Sequence, residues 1–444
     1  MATIDLLKLG ATQARLFGHL NQSYPLPANA GLFPLVEGQF YGQLATNCRI
    51  LNSKASTNKS ISTRNHHRAR GAITEIAMVL PNWYVDRSTS KLEYPNSAGT
   101  ICAASIEYPA GVFHRLTFAG SVREVNPGGG YLVSGFVPIA IPDNAEFWTN
   151  IWCSSATSVV FFNGATGQVG GNGERGTVAT TDVTDFTMAS HTGTAQVYGL
   201  WPVALIGRTT AKACAIMADS LGEGVGDVGD SADHVGLLAR LIGPSHPYMN
   251  LSQSGDRLEL MLQSAAKRLG LLVYVRSVIF GLGINDIGAG RSLNQIKADM
   301  LLAWARAKAE LASGGRVFQT TITPSTTSSD SFASLANQTA AAFFSIAGNG
   351  TREQLNDWLR DGAPMKDNVA AIIAAVDAIR AGHTAHPLAG VAELADAVES
   401  SRNSGKWKTD GTAYKWTGDG IHPSNYAYVQ AADAVLSDLI ELGL

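Results

Sequence analysis

Ala211-Lys-Ala-Cys-Ala-Ile-Met217, followed at once by Ala218-Asp-Ser-Leu-Gly222, is the stretch on which the fold turns. A short apolar run ending in small and polar residues reads as a buried strand that breaks into a tight turn. Behind it, apolar runs alternate with helical periodicity. Helices are predicted at 231–242, 257–269, 293–313, 352–360, 369–381 and 426–442, and strands at 271–280 and 316–323. Thr351 and Gln354 have capping-box spacing at the start of the fourth of these helices. This βαβα rhythm predicts a parallel sheet covered on both faces. Ligands of such sheets sit beyond the carboxyl ends of the strands.

Ahead of Ala211 the period is two. Val112–Phe118 and Phe147–Cys153 alternate, and Asn126-Pro-Gly-Gly-Gly130, Pro142-Asp-Asn144 and Asn163-Gly-Ala-Thr-Gly167 punctuate them. Short strands between such turns predict an antiparallel β-sandwich of jelly-roll type. The chain therefore divides near residue 207. Residues 71–206 are expected to form the β-sandwich and 207–444 the α/β domain, while 1–70 is an extension of unclear structure. Ala11–Leu20 has the character of a short helix, and Arg64–Arg70 reads as a basic loop carrying the surface pair His66-His67.

Composition narrows the function. The chain has 444 residues, enough for two or three domains. Only 16% are charged, the net charge is −3 and there are 46 glycines, against roughly 25% charge in an average globular protein. Neutral polar residues replace the missing charge. Without a basic footprint, nucleic acid and anionic membrane are poor partners. No apolar run approaches the roughly 20 residues of a membrane span, and no basic-then-apolar leader opens the chain. A cytoplasmic product, a phage-associated one, or a secreted form without its signal all fit. Cys48, Cys102, Cys153 and Cys214 lack CxxC spacing, which disfavours zinc. They are four thiols or include a disulfide.

Four segments stand where the fold puts ligands. Ala218-Asp-Ser220-Leu-Gly222 follows the first strand, and Asn250-Leu-Ser-Gln-Ser-Gly255-Asp256 follows a short strand near Tyr248-Met249. Gly281-Leu-Gly283-Ile-Asn285-Asp286 follows the 271–280 strand, and Gly418-Asp419-Gly-Ile-His422-Pro423 precedes the last helix. A serine on a strand-to-helix turn exposes its Oγ, and its own N–H can stabilise negative charge. An aspartate three residues before a histidine can hold Nδ1 and leave Nε2 as the base. A glycine loop and an asparagine side chain supply further donors to an oxyanion.

These segments, in this order, resemble the four sequence blocks of the SGNH (GDSL-type) hydrolases, from about Ala213 to Ala432. The resemblance implies a three-layer α/β/α, flavodoxin-like domain and a Ser-His-Asp triad. It implies Ser220 as nucleophile, Asp419 and His422 completing the triad, and Gly255 and Asn285 joining the Ser220 amide in the oxyanion hole. Ala218 stands where the family usually has glycine. Asp286 reads as the cap of the helix that follows it. Asn356–Arg360 weakly resembles the family's helix after the fourth strand.

Other features have simpler readings. Gly224-Val-Gly226-Asp-Val-Gly229 matches a dinucleotide fingerprint, but Ala-Asp-Ser-Leu-Gly-Glu separates it from the strand and Glu223, Asp227 and Asp230 surround it with negative charge. Asp227, Asp230 and Asp233 read as the start and cap of the next helix. His234, His246, His383 and His386 read as surface or loop residues. Trp148 and Trp152 share one face of a strand, as core or as a sugar platform. Tyr414, Trp416 and Tyr426 flank the Asp419–His422 segment and are candidate substrate-pocket residues.

The implied activity is hydrolysis of an ester through an acyl-enzyme, with no metal or organic cofactor. It should fall as pH drops through the His422 pKa. A β domain ahead of such a hydrolase, and no obvious apolar lid, favour a short acyl group, acetyl, on a glycan. The alternatives are a lipase, thioesterase or arylesterase of the same family, or a carbohydrate-binding, adhesin-like protein with a vestigial hydrolase domain. Oligomeric state is left open.

Overall fold

Cys214–Ala218 is a strand, and all five of its residues are buried. Apolar side chains throughout suit a strand covered on both faces. It pairs in parallel with Tyr248–Asn250 (Cys214 opposite Tyr248, Ile216 opposite Asn250). Tyr248–Asn250 pairs in turn, also in parallel, with Cys48–Arg49. The outer strand of this parallel set thus comes from the beginning of the chain, about 200 residues away.

The computed structural model describes all residues except 1–25, 89, 165–171, 196–197, 345–349, 442 and 444. The helix expected at Ala11–Leu20 lies outside the described residues. The chain divides into two compact units, one of Pro25–Asp256 and one containing Arg257–Leu444.

Within Pro25–Asp256, two antiparallel sheets carry the β-rich region. One runs in the order Phe40–Gln43, Ala204–Thr209, Ile73–Pro81, Tyr131–Val133. The other runs Glu124–Asn126, Thr100–Glu107, Glu146–Ser155, Ser60–Arg68, Arg175–Ala179. Strands before residue 71 are integral to both. Arg64–Arg68, expected in a loop, lies in a strand opposite Glu146–Ser155. His66 and His67 are fully buried there. The His67 ring bridges the Thr46 carbonyl at 2.9 Å and Thr149 Oγ1 at 3.0 Å, and burial pushes its pKa down to about 3. Arg64, Asn65, His66 and His67 hid a strand because four polar residues in a row show no apolar alternation, although three of them are buried and His67 stacks on Phe147. All four cysteines are buried free thiols, and Cys102 and Cys153 stand directly opposite each other.

Within Arg257–Leu444, the strands Ser277–Gly281, Arg316–Thr320 and Gly390–Ala392 form a parallel set. The long helix Leu293–Glu310 covers one side of its own unit's core. A reciprocal cap between Ser292 and Gln295 starts it. Trp304 stacks on Trp358 of helix Thr351–Arg360 with ring centroids 6.0 Å apart, and its Nε1 donates to Gln319 Oε1 at 3.1 Å. No helix among the described residues is long and apolar enough to cross a membrane.

Several expected elements differ. Leu271–Tyr274 is a 3₁₀ turn, and the strand starts only at Ser277. Leu271, Leu272 and Tyr274 are buried as a helical turn would bury them, a case in which a continuous apolar run does not reveal its period. The 257–269 helix breaks at Ala265 into Leu258–Ser264 and Ala266–Gly270. The 231–242 helix shrinks to Leu237–Ile242. The preceding loop is held by the Asp230 carboxylate, which accepts from the amides of Ala232 and His234. The 369–381 segment is not helical. Val369–Ala370 pairs with Met365–Lys366, and the Asp361 carboxylate captures the Ala374 amide and Arg380. At Thr351–Arg360, Glu353 rather than Gln354 reaches back, to the Gly350 N–H at 3.4 Å.

Candidate active site

Ser220 opens the single helical turn Ser220–Glu223, directly after the strand ending at Ala218. Asp219 caps that turn, its Oδ1 accepting the Leu221 N–H at 3.0 Å. The Ala218 amide donates to Ser252 Oγ at 3.1 Å, and Asn250 Nδ2 donates to the Gly222 carbonyl at 2.8 Å. A side chain at Gly222 would come within 2.5 Å of both the Ala218 methyl and Ser252 Oγ. The absent Cβ at 222 is what makes room for alanine at 218, so the family's usual glycine there is not needed for this turn.

Gly255 lies in the same unit as Ser220, at φ +77°, in the left-handed region. Its turn is closed by the Asp256 amide on the Gln253 carbonyl at 2.9 Å. The preceding residue, Ser254, donates its N–H to Glu223 Oε2 at 2.7 Å. Glu223 is therefore a link between the Ser220 turn and the Gly255 turn. Burial pushes the Glu223 carboxyl up, and Arg87 and the Ser254 N–H only partly oppose it.

Asn285, Asp419 and His422 lie in the other unit. Asn285 sits in the turn Ile284–Gly288, immediately beyond the strand ending at Gly281. Asp286 does not cap the helix it belongs to. Its Oδ2 accepts the Leu258 N–H at 3.1 Å, at the start of Leu258–Ser264.

Asp419 and His422 are brought together. His422 Nδ1 lies 2.6 Å from Asp419 Oδ2, and Asp419 Oδ1 accepts the amides of Ile421 at 2.9 Å and His422 at 2.8 Å. Burial alone would raise the Asp419 pKa, but these hydrogen bonds outweigh it and hold the carboxyl at about 2. The carboxylate thus fixes one imidazole tautomer, with N–H on Nδ1 and the basic lone pair on Nε2. Thr417 Oγ1 donates to the His422 carbonyl at 2.7 Å and ties the turn at its base. Beside it, Trp416 and Tyr426 meet edge to face at 5.4 Å. Tyr414 and Tyr426 are exposed and Trp416 is half-buried.

The GDSL-like lipase/acylhydrolase family model matches residues 215–435. Those residues are a GDSL-like lipase/acylhydrolase domain. The chain is similar in structure to a GDSL-like lipase from Bacteroides thetaiotaomicron, at 15% identity and a TM-score of 0.33 over 52% of this chain and 89% of that one. A family two carbohydrate esterase from Clostridium thermocellum, in complex with cellohexaose, is matched at 10% identity and a TM-score of 0.34, over 91% of this chain and 99% of that one. A carbohydrate esterase family 3 structure from Talaromyces cellulolyticus is matched at 13% identity and 0.29, over 52% and 97%. No curated protein matches the chain.

Other candidates resolve differently. Trp148 and Trp152 are already occupied. Arg64 lies 4.1 Å over Trp148 and Arg123 4.6 Å over Trp152, and both indole N–H groups donate to backbone carbonyls. His234 and His386, expected as surface or loop residues, lie in loops and are buried there. Asp227 does start the next helix, accepting the Gly236 N–H at 2.8 Å and pairing with Arg240. His66, Glu174 and Asp233 offer metal-ligand atoms within 4.8 Å of one another. Burial and the neighbouring Asp233 push Glu174 up to about 8. Asp233 is held at about 2, since its hydrogen bonds to His66 and Glu174 outweigh burial. Sequence reading missed Glu223 and Arg87, which approach to 3.5 Å from positions far apart in the chain. No local spacing encodes such a pair.

Proposed function

We propose that this protein is a serine esterase that removes a short acyl group, acetyl, from a carbohydrate. The observation that carries the reading is the 2.6 Å contact of Asp419 with His422 Nδ1, in a domain whose family model is an acylhydrolase. His422 Nε2 takes the proton of Ser220 Oγ as Oγ attacks the ester carbonyl. The amides of Ser220 and Gly255 and the Asn285 side chain hold the tetrahedral oxyanion. As it collapses, His422 gives its proton to the leaving alcohol. It then draws a proton from water, which attacks the acyl-enzyme, and returns that proton to Ser220 Oγ as the acid is freed. No step needs a metal or organic cofactor.

A sugar alcohol is favoured by the exposed Tyr414, near His422 in the chain, since sugar rings present apolar C–H faces that stack on aromatics, whereas Trp416 and Tyr426 each have one face taken, by Lys408 at 5.5 Å and Lys415 at 4.6 Å. The low-charge β-rich region suits a neutral polymeric partner. We keep the division at 207 as the working boundary of the catalytic domain, with 71–206 as the body of the β-sandwich, to which the strands Phe40–Gln43 and Ser60–Arg68 of the expected 1–70 extension are joined.

The test is acetate release from a panel of acetylated polysaccharides, with p-nitrophenyl acetate, butyrate and octanoate alongside. Acetate release that disappears in Ser220→Ala is the expected outcome. Preference for octanoate would replace the reading with a lipase or thioesterase. Glycan binding without turnover of any ester would replace it with a binding protein.

A further inference from the structure

The β-rich region reaches the Gly255 turn through one hairpin. Trp83–Val85 and Glu93–Pro95 pair in antiparallel fashion, and the turn between them is tied by the Asp86 carboxylate, which accepts from the Ser88 amide at 3.1 Å and Ser90 Oγ at 2.6 Å. Lys91 Nζ closes the turn on the Arg87 carbonyl at 2.6 Å. Two side chains leave this turn towards the acylhydrolase segments. Arg87 Nη2 lies 3.5 Å from Glu223 Oε1. Lys91 lays its stem on Gly255. A Cβ at 255 would stand 2.9 Å from Lys91 Cε and 3.1 Å from Nζ.

Glu223 is 2% exposed. A buried carboxyl is costly unless it is paired and hydrogen-bonded. Here one oxygen faces Arg87, and the other holds the amide directly before Gly255. Glu223 is also three residues from Ser220 in the same helical turn, the spacing that puts two side chains on one side. One carboxyl thus ties the segment of the proposed nucleophile to that of a proposed oxyanion donor, and its other oxygen, without a hydrogen bond, faces the Arg87 charge at 3.5 Å.

We propose that Glu223 is a positioning residue of the oxyanion hole, and that the Arg87–Lys91 turn of the β-rich region holds the Glu223–Ser254–Gly255 arrangement in place. This rests on the reading of Ser220 as nucleophile and Gly255 as oxyanion donor. A donor aimed in advance stabilises the transition state without reorganising during reaction. Loosening it therefore costs turnover, not ground-state binding. The β-rich region is by this account part of the catalytic apparatus and not only a carrier or glycan anchor.

The experiment compares Glu223→Gln, Glu223→Ala, Arg87→Ala, Arg87→Lys and Ser220→Ala on p-nitrophenyl acetate, with circular dichroism and Tm for each. Glu223→Ala is expected to lower kcat by about 10- to 100-fold, the scale of a misplaced catalytic group, with KM within about twofold. Arg87→Ala is expected to lower kcat about three- to tenfold, and Arg87→Lys to recover most of that loss. Arg87 is partly exposed, so its variants keep the proposal testable if a Glu223 variant does not fold. Activity abolished by Ser220→Ala but unchanged in folded Arg87→Ala and Glu223→Gln overturns the proposal alone. So does a loss confined to KM. Activity that survives Ser220→Ala overturns the underlying reading and the proposal with it.

Discussion

The Ser220 segment and the Asp419–His422 segment are built in opposite ways. Ser220 is 4% exposed and Asp219 fully buried, inside a lattice of backbone and side-chain hydrogen bonds from Ser252, Asn250 and Glu223. The Asp419 side chain is 52% exposed and that of His422 21%, on a turn that Asp419 largely ties to itself. A nucleophile has to be fixed against several donors at once, so its neighbourhood is shared by many residues. A base oriented by one carboxylate can sit on an open turn. Mutations near Ser220 should therefore disturb fold and function together, and those at Asp419 function almost alone.

The largest effect tests the buried side without disturbing its packing. Ser220→Ala should lower ester hydrolysis by at least about 10³-fold, the scale for loss of a nucleophile, with Tm within about 2 °C. A large fall in Tm would mean that the hydroxyl is structural. Next, Asp419→Asn should cut kcat about 10²- to 10⁴-fold by favouring the wrong imidazole tautomer, with only a small fall in Tm. If that variant unfolds early, the open turn is less independent than its exposure indicates.

Asp286→Ala is expected to do the reverse. Loss of the acceptor for the Leu258 amide should cost about 1–2 kcal/mol of stability, measured by urea denaturation, while the remaining folded enzyme keeps most of its kcat. The smallest effect is the pH dependence of Asp419. Its carboxyl is held at about 2 when folded, against about 3.9 in an unfolded chain. The stabilisation it gives is complete above roughly pH 4–5 and is lost as pH falls towards 2. The Tm difference between wild type and Asp419→Asn should therefore be small and positive at pH 5, shrink steeply by pH 2 and vanish below it. A difference undiminished at pH 2 would argue against the ionised contact.

What the sequence disclosed follows the same line. The strand at Cys214–Ala218 and the turns holding Ser220, Gly255 and Asn285 were legible because an apolar run precedes each turn, and the His422 segment because of its Asp-x-x-His spacing. The Asp419–His422 contact was legible because three residues of one turn enclose it. The 3₁₀ turn at Leu271–Tyr274 was not, since an unbroken apolar run carries no period. The strand at Ser60–Arg68 was hidden by polar residues whose partners lie on distant strands. Glu223, Arg87 and Lys91 were invisible for the same reason, being joined only in three dimensions.

The strand Cys48–Arg49, paired with Tyr248–Asn250, has a consequence for synthesis. At about 5–20 residues per second, its partner leaves the ribosome roughly 10–40 s later. During that interval the early strand has no sheet to join, and the Ser220 loop cannot reach its final surroundings. A fragment beginning at residue 207 would lack this strand altogether and would present Tyr248–Asn250 as an uncovered edge, open to pairing with another chain. Excision of the acylhydrolase segment as a free-standing catalyst should therefore yield aggregates unless residues near 48 are supplied, in cis or as a separate peptide.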